Sequence, residues 1–72
     1  MSAKELEKRY GIKILDDSYY NPLTGKIRKA YKFFTADGCL WENGLRTIKD
    51  IEKECRTWKV ALLEIKNKME VA

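Results

Sequence analysis

Histidine is absent from this 72-residue chain. With it goes the side chain most often used as a general acid or base near neutral pH. Cysteine is scarce: Cys39 and Cys55 are the only two. A zinc site needs about four Cys/His ligands, so no metal site and no cofactor are expected. One disulfide is arithmetically possible. Two reduced thiols are the preferred reading, because Cys55 falls in an apolar helical seam and Cys39 in an expected strand, where free cysteine acts as a small hydrophobe. That suits a cytoplasmic chain. Long apolar runs are missing too. None approaches the roughly 20 residues of a membrane span, and Met1 to Arg9 alternates charges without the apolar stretch of a secretory signal. Asp16 and Asp17 are adjacent, so a regular strand points them to opposite faces rather than into one catalytic pair. A single domain of this size also has little room for a pocket of about 300 Å³ or more. The expectation is a non-enzymatic, soluble protein with no catalytic residues.

What is present is organised around residues 47–69. Ile48, Ile51, Cys55, Trp58, Leu62, Ile65 and Met69 recur at alternating spacings of three and four, the pattern of one amphipathic helix. Thr47 and Asp50 read as its capping box. Neither Gly nor Pro interrupts the run, so the helix would extend roughly 33 Å.

Taken in order, residues 3–10 predict a short helix. Ser2 and Glu5 suit a capping box, and Gly11 a left-handed stop. Residues 12–18 shift to alternation and predict a strand. Asn21-Pro22-Leu23-Thr24-Gly25 is a turn cluster. Residues 26–34 form the strongest strand, with Ile27, Lys29, Tyr31 and Phe33 on one face and Arg28, Ala30, Lys32 and Phe34 on the other. The first face is the more apolar and is assigned to the core. Asp37-Gly38 predicts a hairpin turn with a glycine bulge, pairing Thr35 with Cys39, Phe34 with Leu40 and Phe33 with Trp41. The third strand, 39–43, ends at Asn43-Gly44. The sum is one small α+β domain over 1–72: a short N-terminal helix and a three-stranded antiparallel meander packed against one long C-terminal helix.

The net charge is +4, which permits an anionic partner. Its distribution is more informative. Lys26, Arg28, Lys29 and Lys32 fall within seven residues that contain no acid. Lys26, Arg28 and Lys32 share the face assigned to solvent, where they could neutralise phosphates. Arginine also suits bidentate contact with guanine. Arg46 and Lys49, at the start of the long helix, extend this candidate nucleic-acid-binding set. A one-residue slip would turn Tyr31, Phe33 and Trp41 outward and make an aromatic platform for single strands. The seam allows another reading. Trp58, Leu62, Ile65 and Met69, if they project past a short sheet, leave an apolar patch for a protein partner or a second copy.

The order of three strands followed by a helix resembles the small sheet-type DNA-binding domains of phage and transposon integrases and of a plant transcription-factor family. Residues Leu45-Arg46-Thr47-Ile48-Lys49-Asp50-Ile51-Glu52 resemble the lead into the integrase helix. Leu45 stands in place of its aromatic residue and Ile51 in place of its small one. The resemblance spans about 12–69. It implies that the exposed sheet face reads duplex DNA while the helix braces its back. The expected function is a small DNA-binding module of the recombination or regulatory accessory type. The alternative is a small adaptor or inhibitor, of phage or mobile-element kind, acting on a protein through the C-terminal helix.

Overall fold

The computed structural model describes residues 1–71, with side chains through Glu70. The chain is α+β. Helix α1 (Ala3–Tyr10) is followed by five short strands, β1 (Lys13–Asp16), β2 (Tyr19–Asn21), β3 (Lys26–Arg28), β4 (Tyr31–Phe34) and β5 (Leu40–Leu45). Helices α2 (Ile48–Thr57) and α3 (Lys59–Val71) close the order. Strands β1, β4 and β5 form a three-stranded antiparallel sheet with β4 central. Strands β2 and β3 form a separate two-stranded ribbon.

Local chemistry explains α1. The Glu5 amide donates to Ser2 Oγ at 3.2 Å, and the Ser2 amide donates back to the Glu5 carboxylate at 3.4 Å. Gly11 then takes a left-handed φ of 67° and ends the helix. Leu6 and Tyr10, four residues apart, enter the core beside Ile12, Phe33, Ile51, Cys55 and Leu62. Glu7 on the same helix accepts the Ile14 amide at 2.9 Å, which occupies a donor on the edge strand β1 and blunts that edge.

The expected strand 26–34 is interrupted at Lys29 and Ala30, and the expected strand 12–18 at Asp17 and Ser18. The register does not change across the gap. Pairing steps one residue at a time from Lys13↔Phe34 to Asp16↔Tyr31 and resumes from Tyr19↔Arg28 to Asn21↔Lys26. One long hairpin is therefore interrupted by its own side chains. The Ser18 amide donates to Asp16 Oδ1 at 2.9 Å, and the Ala30 amide donates to Ser18 Oγ at 3.1 Å instead of to a strand. Such local bonds compete with the ladder. Beyond the gap the hairpin leaves the core: among the described residues β2 and β3 pack on each other and on no other element. The face assignment was sound for Phe33, which is fully buried, and half-right for Tyr31, which is partly buried. It fails for Ile27, which is 69% exposed because nothing covers the outer half of the hairpin. The buried Phe33 also rules out the slipped, aromatic-out register.

The β4–β5 turn follows expectation as far as Thr35, whose amide reaches the Cys39 carbonyl at 2.8 Å, and Phe34↔Leu40. It then departs: Phe33 pairs with Glu42, not Trp41, and Tyr31 with Leu45. Two extra residues on β5 make these shifts. Asn43-Gly44 does not end the strand, because Gly44, at φ 71°, is absorbed within it.

The single helix 47–69 is two helices. Thr47 caps the first by accepting the Asp50 amide at 3.1 Å, without the reciprocal half of a capping box. The break falls at Trp58, with φ −104° and ψ 20°. Thr57 Oγ donates to the Lys53 carbonyl at 3.0 Å, a back-bond that bends helices. Trp58 packs edge-on against Trp41 with ring centres 5.7 Å apart. As a result α2 covers β4 and β5, whereas α3 turns onto α1.

Gly11 carries a second demand besides its φ: a Cβ there would stand 2.6 Å from Lys66 Cγ on α3. Gly25, at φ 68°, has open space around it. Gly11→Ala should lower unfolding stability by at least about 2 kcal/mol, and Gly25→Ala by about 1 kcal/mol or less, as read by urea denaturation. The buried Cys55 gives a pH test. Burial, with lesser help from Glu54 and Glu52, raises its thiol from the ordinary 9.0 to about 11. The unfolded chain therefore loses this proton first, and stability should fall as pH rises from about 9 towards 11. Alkaline denaturation of Cys55→Ala should lack that part of the slope.

Candidate nucleic-acid interface

The ribbon is built for exposure. Asn21 organises its tip: Oδ1 accepts the Leu23 amide at 3.0 Å, and its carbonyl accepts the Gly25 amide at 2.8 Å. An asparagine-based turn with glycine at the left-handed position is the expected chemistry. Period-two alternation divides the strands into two faces. Lys26 and Arg28 lie opposite Asn21 and Tyr19, and Ile27 lies opposite Tyr20. Lys26 and Arg28 thus share one strand face and Ile27 the other, although Ile27 reaches the same hollow as the cations.

Four of the six expected cations come together here. Lys26 and Arg28 on β3, Lys29 in the β3–β4 gap and Arg46 before α2 line one shallow hollow of about 370 Å³. Asn21 and Thr24 complete its polar wall, and no carboxylate lines it. Each of the four cations is exposed. Among the described residues, none has a carboxylate within ion-pair distance. Arg46 directly follows Leu45, which pairs with Tyr31 at the root of the ribbon, and so lines the hollow from that side.

The other two cations are elsewhere. Lys32 sits on the three-stranded sheet, partly buried, 3.9 Å from Asp17. Lys49 is exposed on the first turn of α2 and does not line the hollow. Asp16 feels one cation of the hollow: its carboxyl is held below its ordinary value, first by the Ser18 hydroxyl, then by the Ser18 amide, with Lys29 adding a smaller attraction.

The residues expected for a protein partner do not form one patch. Trp58 and Met69 are about half exposed, Ile65 is partly buried and Leu62 is fully enclosed. A different apolar hollow, about 420 Å³ with Leu15 and Phe34 in its wall, opens on the outer sheet face. The expectation of little room for a pocket of about 300 Å³ fails because these hollows are open surface concavities rather than enclosed in the small core. Cys39 is exposed and Cys55 buried, both as free thiols. Among the described residues no three His, Cys, Asp or Glu side chains gather as metal ligands, and no helix is long and apolar enough to cross a membrane.

Compared with known protein families, curated proteins and solved structures, the chain matches none of them.

Proposed function

We propose that this chain is a small, non-enzymatic, cytoplasmic module that binds duplex DNA, of the recombination or regulatory accessory type. The observation that carries the reading is the convergence of Lys26, Arg28, Lys29 and Arg46 on one hollow without a neutralising acid in its wall. Cations left unpaired on a hydrogen-bonded turn and ribbon attract phosphate. A two-stranded ribbon is also slender enough to enter a DNA groove. The contact surface is therefore the ribbon and its root, not the face of the three-stranded sheet. Lys32 already has Asp17 beside it and contributes less.

A protein partner is the second reading. The feature that favours it is the apolar hollow beside Leu15 and Phe34, rather than the end of the C-terminal helix. Binding there would depend little on salt.

The test is affinity for a short random duplex across a range of salt concentrations. Four phosphate contacts predict a slope of log affinity against log salt near −3.6, about −0.9 per contact. Lys26→Ala and Arg28→Ala should each weaken binding and flatten the slope by about one unit, while Lys32→Ala changes it little. Absence of duplex binding at low salt would defeat the reading.

A further inference from the structure

Among the described residues the most exposed large apolar side chain is Leu23, at 94%. It stands at the tip of the ribbon, next to the chain's only proline. Pro22 serves only the turn and the Leu23 side chain serves no packing, since among the described residues the ribbon packs on no other element. The tip is nevertheless held: Asn21 binds the Leu23 amide through its side chain and the Gly25 amide through its carbonyl. A leucine presented by a braced turn, with Lys26 and Arg28 along one flank behind it, is arranged as a wedge with an electrostatic grip.

We infer that Pro22-Leu23 inserts between base steps of duplex DNA and bends it, while the cations of the ribbon hold the adjoining phosphates. This rests on the DNA-binding reading and adds its mechanism. Apolar wedges, leucine and proline among them, unstack a base step and kink the duplex, and the cost is offset by contacts that the bend allows. The charge distribution favours DNA over a lipid surface. Lys26 and Arg28 lie on one face of the ribbon, and with Lys29 and Arg46 at its root they line one hollow behind the tip, where a phosphate backbone could run. A bilayer would instead be met by the tip alone, and one leucine with one proline offers less apolar surface than a single acyl chain, which itself anchors only marginally.

The experiment is end-to-end energy transfer in a short duplex labelled at both ends, at low salt, with the whole chain. Wild type should bind and shorten the end-to-end distance, corresponding to a bend of at least about 20°. Leu23→Ser should bind within about twofold of wild type but leave the duplex straight, with an unchanged circular dichroism spectrum. Leu23→Phe should restore the bend, because an aromatic wedge also intercalates. A duplex with a central mismatch, already partly unstacked, should be bound about tenfold more tightly by wild type and equally by Leu23→Ser. Binding by wild type without bending, or equal bending by Leu23→Ser, overturns the wedge and leaves the DNA-binding reading standing. No duplex binding overturns both. Preferential binding to vesicles of anionic lipid over the duplex overturns both and assigns the tip to membrane.

Discussion

Phe33 is where the layers of this molecule meet. Its side chain is fully buried, on the central strand, paired with Ile14 on one side and Glu42 on the other, beneath a helix that supplies Ile51 and Cys55 to the same cluster. Once Phe33 points inward, alternation turns Lys32 and Phe34 outward. The constant hairpin register then carries that parity to the tip. So small a core reaches only part of the way along the hairpin. The outer half keeps the alternation of a buried strand, with Tyr20 opposite Ile27, but has no partner layer. An isolated two-stranded hairpin is marginal in water. This one is braced at its tip by Asn21 and continued at its base by the three-stranded sheet. That geometry separates a structural half, which folds, from an outer half, free to bind.

The class of fold was legible because periodicity and capping are local. Ser2, Glu5 and Gly11 place α1 to the residue, and the three-four spacing finds the C-terminal helical stretch. The helix break is not legible as a pattern, and the strand break only in part: Asp16, Asp17 and Ser18 mark the end of a regular strand, but not that pairing resumes in register at Tyr19. Thr57 and Ser18 are ordinary polar residues in a sequence, and their effect depends on which backbone group each one captures. The Trp58 break needs Trp41, seventeen positions away, and the β5 bulges needed the sheet to exist first. The site followed the same rule. The basic cluster at 26–29 was visible from composition, and Arg46 was named for its place before the helix. That Arg46 joins Lys26 and Arg28 while Lys32 turns to Asp17 is a matter of three-dimensional register. An exposed leucine in a turn has no sequence signature; Leu23 is singled out by its exposure and by the hydrogen bonds that hold its turn.

These features bear on one another in a definite order. Side-chain bonds at Asp16 and Ser18 interrupt the ladder, and the ribbon projects past the limits of the core. Projection leaves its cations without ion-pair partners among the described residues, and Arg46, just beyond β5, lines the same hollow. The apolar hollow near Leu15 and Phe34 lies on the structural half instead. The two candidate surfaces are therefore distinguishable residue by residue.

The most direct measurement is a backbone amide NMR titration with a short DNA duplex. The account predicts that the largest shifts fall on residues 19–29 and Arg46, with the buried amides around Phe33 and Ile51 little changed. Shifts centred on Leu15, Phe34 and Leu40, or on Trp58 and Met69, with the ribbon unmoved, would contradict it.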